Sequence, residues 1–596
     1  MFAKLRPLSP YLKRYRMQFV QGAAAVLLYN SSKVAIPLLI GRAVDQVAHN
    51  GSMSLITRYV IVLLAVASTA AVCLYATRWI LIGASREIEF DLRNDLFANL
   101  ERQSTAFFHE HRTGDIMARS TNDLNAVRAL LGPAIMYSAN TVVFIAMALP
   151  FMIHISGRLT IFAVLPLPFA SILVQYAGRR IHQRFERIQA MFSEISARAQ
   201  ENFSGARLVR AFSQEEAEVR SFEDANREYI RRSLFLVRIM AMLWPTLEFI
   251  LGISIVLTLL VGGHQVILGN VSAGDFSAYM IFMAQLTFPM LALGYVINLF
   301  QRGTASVVRI DEFLRWEPSI KDEAGVSVAI DAVPRGEIEF RNLTFAYTTT
   351  PGTRDTGTSG QAAGPKVLQD VNLTIPAGTS LAIVGPTGSG KSTLVNLIPR
   401  LLDAAPGQVL IDGLPIREWP LAALRRSIGF VPQETFLFSS STRDNIAFGV
   451  ESATDAEIER AATLAHIAKE ILEFPHGFDT VVGERGITLS GGQKQRTSIA
   501  RALIRNPRIL ILDDALASVD TYTEEQILRG LREVMQDRTS ILIAHRVSTA
   551  RSADRIAVLI DGRITETGTH EELMALNGYY ADLFEKQQLE EEIVAV

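Results

Sequence analysis

The chain has 596 residues, a formal net charge of -2 and a hydrophobic fraction of 49%. That length exceeds one ordinary globular core, so at least two domains are expected. The charge balance excludes a nucleic-acid binder, which needs a clustered positive face, and Cys73, the single cysteine, excludes intrachain disulfides and cysteine-ligated metal clusters.

In chain order, Lys4, Arg6, Lys13, Arg14 and Arg16 precede a first long apolar stretch that lacks a small-residue cleavage pattern, which predicts a retained membrane helix. Residues 8–16 either lie along the membrane surface or fray. Apolar stretches at 17–41, 58–83, 131–155, 158–178, 235–262 and 273–300 are each near the ~20 residues that cross a hydrocarbon core, predicting about six crossings and a lipid bilayer as partner. The connections 84–130 and 179–234 are long, helical in pattern and rich in Arg, whereas 42–57, 152–158 and 263–272 are short with few basic residues. The positive-inside bias then places both termini in the cytoplasm. Lys33 and Glu248 fall near the middle of predicted crossings, where ionisable groups pair or face a wet cavity; Arg78 and Trp79 read as interfacial anchors.

Composition shifts near residue 300. The reading is an all-α transmembrane domain at 1–320 with long helical extensions, a charged linker at 321–336, and an α/β domain of P-loop NTPase type at 337–590. Residues 348–366 hold few large apolar side chains, so a mobile hairpin tip is predicted there.

Strand 380–384 runs into Gly385, Pro386, Thr387, Gly388, Ser389, Gly390, Lys391, Ser392 and Thr393, followed by an apolar helix. Glycines leave backbone N–H groups free to meet phosphate oxygens, and a helix N-terminus adds a favourable dipole. Lys391 is expected at the β and γ phosphates of ATP and Ser392 at Mg²⁺. The apolar run 509–512 reads as a buried strand ending in Asp513, at the carboxyl edge where open sheets bind ligands. An acid there completes the Mg²⁺ site, and Asp514 stands beside the attacking water.

These residues resemble the ATP-binding cassette family, specifically its half-transporter exporters. The resemblance covers nearly the whole chain. It rests also on Leu489-Ser490-Gly491-Gly492-Gln493-Lys494-Gln495-Arg496, Val431-Pro432-Gln433-Glu434, Gly483-Glu484-Arg485-Gly486 and Ala544-His545-Arg546. Phe107-Phe108 with Arg112–Asp115, and Asn202-Phe203 with Arg210-Ala211-Phe212, are similar to the family's cytoplasmic segments that touch ATPase domains.

The resemblance implies two ATPase domains closing head to tail, each nucleotide held between one chain's phosphate loop and the other's Ser490-Gly491-Gly492. It also implies that Gln433 senses Mg²⁺ and water, that His545 meets the γ-phosphate, that Tyr347 stacks on adenine, and that Gln493 and Asp520 line the site. The family's catalytic acid is usually Glu, so Asp514 is one methylene short and Leu516 stands where Thr is usual. These departures are similar to one subunit of an asymmetric heterodimer whose own site hydrolyses poorly. A homodimer that tolerates Asp, or an ATP-gated channel or regulator that does not pump, are the alternatives. The expected cargo is a small amphipathic drug, lipid or peptide, exported from a multi-pass protein of the prokaryotic plasma membrane.

Overall fold

The computed structural model describes residues 2–49, 52–322, 328–329, 331–348, 363–483, 486, 488–517 and 521–595. They divide into a helical unit, Met1–Glu101 with His111–Trp316, and a mixed unit, Arg102–Glu110 with Glu317–Val596.

The helical unit is built from α1 (Arg16–Ala48), α2 (Met53–Leu100), α3 (Thr113–Ile155), α4 (Gly157–Val164), α5 (Leu167–Ser204), α6 (Glu215–Ile267) and α7 (Ala273–Leu314). Among the described residues α1, α2, α3 and α6 are long and apolar enough to cross a membrane. The predicted crossing at 158–178 is shared between α4 and α5, because Pro166 and Pro168 withhold backbone donors where one helix would continue. The stretch 273–300 lies on α7. Ser156 ends α3 in extended conformation and caps α4 by accepting the Leu159 N–H at 3.3 Å.

Residues 8–16 are not a frayed tail. A 3₁₀ turn at Phe2–Leu8 and a short helix at Ser9–Arg14 dock on α2: Leu8 is 3% exposed among Ile88 and Leu92, and the Tyr11 hydroxyl donates to Asp95 at 2.6 Å. Arg14 and Tyr15 converge on Asp91 at 3.0 and 2.9 Å. Lys33 stands over the Phe144 ring at 4.2 Å, a cation–π contact in place of an ion pair, while Glu248 is on an exposed face of α6. Trp79 is exposed on α2, where its ring stacks on that of Tyr75 at 6.1 Å.

Among the described residues the mixed unit holds ten strands. A four-stranded antiparallel sheet has the order β2 (Ala363–Ile375), β1 (Ile338–Thr348), β4 (Val409–Ile411), β5 (Leu414–Pro415). A six-stranded sheet has the order β10 (Arg563–Gly568), β9 (Arg555–Ile560), β3 (Ser380–Val384), β8 (Thr539–Ile543), β7 (Ile509–Asp513), β6 (Ile428–Val431). Its core strands β9, β3, β8, β7 and β6 are parallel, and β3, β7 and β8 are buried along their whole length, which accounts for the apolar runs 381–384, 509–512 and 541–543 within them. The hairpin tip expected at 348–366 is shorter at both ends, since Thr348 pairs with Ala363 and β2 carries on from there. Residues 349–362 lie outside the described residues.

The segment Arg102–Glu110 folds with this mixed unit although it follows α2 directly. Thr105 donates to the Leu401 carbonyl at 3.2 Å, and Ser319 and Ser104 share a hydrogen bond at 2.9 Å.

Candidate functional site

β3 and β7 are parallel strands flanking β8, so their carboxyl ends place residue 385 and residue 513 at one edge of the sheet. Gly385 leaves β3 at φ 150°, and a Cβ there would stand 2.1 Å from the Leu559 carbonyl oxygen. Gly390 opens α8 (Lys391–Asn396) at φ 102°, where a side chain would meet Leu368 at 2.9 Å. Only glycine fits both positions without moving neighbouring strands.

Lys391 is buried. Its Nζ donates to the Gly385 and Pro386 carbonyls at 2.8 and 2.9 Å, so the loop curls around its own lysine. Burial pulls the Lys391 pKa below the ordinary lysine value, against the pull of Asp513 and Asp514. Ser389 Oγ is buried in the same loop without a hydrogen-bond partner among the described residues. An orphaned hydroxyl beside a lysine and a helix N-terminus fits a phosphate oxygen. Thr387 and Gly388 are exposed at the tip of the loop.

Across the loop, Ser392 Oγ donates to Asp513 Oδ1 at 3.1 Å. Burial raises the Asp513 pKa, partly opposed by that hydrogen bond. Ser392, Asp513 and Gln433 offer hard oxygen donors, the set that suits Mg²⁺. Asp514 sits at φ 49° with its N–H on the Ile543 carbonyl at 3.2 Å, so the chain turns off β7 while tied to β8. Its carboxyl, also raised chiefly by burial, accepts a hydrogen bond from Gln433 and lies within the fields of His545 and Lys391. The structure thus brings together the phosphate loop, Asp513, Asp514, Gln433 and His545.

His545 is exposed, and its backbone is bracketed from a distance. Gln587, on α10 (Tyr579–Ala595), donates to the His545 carbonyl at 2.7 Å and accepts from the Val547 N–H at 2.8 Å. Sequence reasoning missed Gln587, because a glutamine on a charged helix carries no signal of its long-range partner. Arg546 and Thr549 both contact the buried Glu524 carboxylate, which fixes the segment after His545.

Tyr347 is exposed at the end of β1; its hydroxyl shares a hydrogen bond with Thr393 Oγ1 at 3.0 Å and its ring meets Phe345 edge-on. The Thr393 hydroxyl is therefore engaged with the tyrosine, which ties the aromatic to the phosphate loop.

Ser490 caps α9 (Gly491–Leu503) through a reciprocal box with Gln493: Gln493 N donates to Ser490 Oγ at 3.2 Å and Ser490 N to Gln493 Oε1 at 2.9 Å. Gln493 and Arg496 also hold Glu470, Gln493 at 3.0 Å. Ser490 and Gly491 remain exposed, and their hydrogen bonds do not reach the phosphate loop of their own chain. The expected contributions of Asp520 and of Glu484-Arg485 lie outside the described residues.

A phosphate-binding loop and acid-tipped parallel strands, in one polypeptide with membrane-length helices, define an ATPase-coupled integral membrane protein. The sequence comparisons agree: the ABC transporter transmembrane region family matches residues 22–290, and the ABC transporter family matches 368–517. The chain is 35% identical over 594 residues to the probable multidrug resistance ABC transporter ATP-binding/permease protein YheI of Bacillus subtilis, covering 99% of this chain and 98% of that one. It is 35% identical to the multidrug resistance-like protein MdlA of Escherichia coli, covering 98% and 96%, and 36% identical to the ATP-dependent lipid A-core flippase of Syntrophus aciditrophicus, covering 99% and 95%. The solved structure of a bacterial Atm1-family ABC exporter with ATP bound superposes with a TM-score of 0.72 at 28% identity, covering 96% of this chain and 98% of that one. The chain belongs to the ABC transporter family and has the fold of its exporters.

Proposed function

We propose that the chain is one half of an ATP-driven exporter of amphipathic molecules, working by alternating access with its termini and ATPase unit in the cytoplasm. The carrying observation is the Ser392–Asp513 contact at 3.1 Å beside buried Lys391, in a chain whose helices are long enough to cross a bilayer. Six crossings, spread over α1, α2, α3, α4 with α5, α6 and α7, define the membrane domain in this reading, which runs to about residue 320 before the linker and the ATPase domain.

Gly385 to Thr393 cradle the ATP phosphates, Ser389 supplies its free hydroxyl, and Lys391 exchanges its two carbonyl partners for phosphate oxygens. Ser392, Asp513 and Gln433 hold Mg²⁺, which neutralises phosphate charge when bound. Asp514 and Gln433 orient the attacking water, and His545, steadied by Gln587, meets the γ-phosphate. Exposed Ser490 and Gly491 serve a partner's nucleotide rather than their own, and Tyr347 receives adenine.

The names of the relatives, two multidrug-resistance proteins and a lipid A-core flippase, support an amphipathic drug or lipid as cargo. Asp514 supports a heterodimer. Its carboxyl is one methylene short of the usual acid and already engaged by Gln433, so water within hydrogen-bond reach is held less well and this chain's own site turns over slowly. Uptake of a lipophilic dye into inside-out vesicles tests the transport claim: accumulation above the outside concentration supports an exporter, and mere equilibration identifies a channel. Affinity purification of the tagged chain at native expression tests the pairing. A second, related chain bearing Glu after its strand-ending Asp is expected, and recovery of this chain alone would establish a homodimer.

A further inference from the structure

Arg501 stands in the last turn of α9 and takes no part in the chemistry above. A basic residue there complements the helix dipole and needs no particular contact. Arg501 makes three directed ones. Its Nε donates to the Asn445 carbonyl at 2.8 Å, Nη2 to Asn445 Oδ1 at 2.9 Å and Nη1 to the Phe436 carbonyl at 2.9 Å. The rings of Phe438 and Phe448 lie 5.9 and 5.6 Å from its guanidinium. Among the described residues no carboxylate pairs with it, and burial pulls its pKa down to about 10. A cation withdrawn from water with only carbonyls and rings for partners is costly. What the arrangement gains is a fixed place for the chain it holds, because the planar donor fork fits one orientation.

The loop that Arg501 grips is rigid in its own right. Asn445 is fully buried; its Oδ1 accepts the Phe438 N–H at 2.9 Å, and its Nδ2 donates to the Phe438 and Ser441 carbonyls at 2.9 and 3.0 Å. Leu437 is buried in one cluster with Val482 and Leu489, the residue before Ser490. Gly449 passes so close to α9 that a Cβ would stand 2.5 Å from the Arg501 carbonyl oxygen. The chain from Phe436 to Gly449 is therefore fastened to α9.

On its other side the loop leaves the sheet. β6 ends at Val431, which pairs with Leu512. Residues 432–435 alone span the gap between that fixed end and the Phe436 carbonyl, and Pro432 fixes one further torsion. Gln433 lies in this span and donates to the Asp514 carboxyl. A short span held at both ends has few conformations left, so its side chains are aimed before a ligand arrives.

We propose that Arg501 is a positioning residue for the Mg²⁺ site: by holding the Phe436 carbonyl it aims Gln433 at the metal, and it acts through Gln433 alone. The assignment rests on the role given to Gln433 above. Groups that orient a metal ligand from behind typically set its affinity by about 10–100-fold.

The purified full complex is saturated with ATP in the absence of divalent metal, then titrated with Mn²⁺ as the probe and followed by loss of the free-ion EPR signal. In R501Q the sites built on this chain's phosphate loop are expected to bind Mn²⁺ on the order of tenfold more weakly. Metal-free ATP affinity stays at the wild-type value, because Lys391 and its loop are untouched. R501K keeps the charge and part of the donor set, and recovers part of the loss. Q433A shows the same loss, and R501Q/Q433A is no weaker than Q433A, since a residue that acts through another adds nothing once that other is gone. Wild-type Mn²⁺ affinity in R501Q, or losses that add in the double variant, overturns the proposal. Wild-type affinity in Q433A overturns the role of Gln433 itself, and the proposal with it. An R501Q complex that loses metal-free ATP binding has misfolded; R501K then carries the comparison, and wild-type Mn²⁺ affinity there overturns the proposal.

Discussion

The turn after α2 and the turn between α5 and α6 are built from similar residues and end differently. Arg102–Glu110 folds with the ATPase unit of its own chain, where Phe107 is 6% exposed and Thr105 is bonded to Leu401. The turn between α5 and α6 leaves Phe203 81% exposed, with Leu208, Phe212 and Val219 also bare, and Phe203 and Val219 line an apolar cavity of about 510 Å³. A soluble surface does not carry such a cluster without covering it. The difference teaches that the chain satisfies one turn alone and leaves the other for a second polypeptide, which agrees with the exposed Ser490 at the head of α9.

Paired substitutions break this comparison most sharply. Phe107→Ala removes a buried ring and is expected to cost roughly 3–5 kcal/mol of stability in the isolated chain. Phe203→Ala is expected to change that stability by no more than about 0.5 kcal/mol, yet to uncouple ATP hydrolysis from transport in the assembled complex. Thermal unfolding of the chain and dye uptake by vesicles read the two effects. Next, Lys391→Ala is expected to lower hydrolysis at this chain's site by on the order of 10²–10³-fold, and hydrogen exchange at 199–226 in the complex should stop responding to Mg·ATP. Asp514→Glu restores the missing methylene and is expected to raise single-site turnover by up to about 10²-fold; an unchanged rate in purified complex would contradict a geometric defect.

Smaller effects sharpen the ATPase side. Gln587→Ala removes two hydrogen bonds that steady the backbone around His545, each worth about 0.5–1.5 kcal/mol. A several-fold drop in kcat with unchanged nucleotide affinity is the expected result. The pH dependence follows from burial of Asp513. Its folded pKa lies above the unfolded value, so without metal the buried charge costs nothing below the unfolded pKa and its full penalty above the folded pKa. Mg²⁺ requires the ionised form, so the stabilisation by Mg·ATP over ATP alone should grow as pH rises through that window, and Asp513→Asn should flatten it.

Much of this was legible in the sequence. Continuous apolar runs gave β3 and β7, and glycine spacing gave the phosphate loop. Local patterns carry no information about partners distant in sequence, and the residues that reading missed are of that kind. Gln587 reaches back to His545 across the ATPase unit, and the first helical turns dock on α2 through Asp91 and Asp95. Hydropathy also merged α4 with α5, because two prolines split a helix without changing its mean hydropathy. The pairing of Thr348 with Ala363 was hidden because small polar residues can extend a strand when its neighbour supplies the hydrogen bonds.

The central claim is that this chain operates only with a second one. Photo-cross-linking of the purified complex, with benzoylphenylalanine at position 203 in one preparation and at position 107 in another, tests it most directly. The account predicts that the probe at 203 joins two polypeptides and that the probe at 107 gives only links within one chain. A probe at 203 that reacts solely with its own ATPase unit would contradict it.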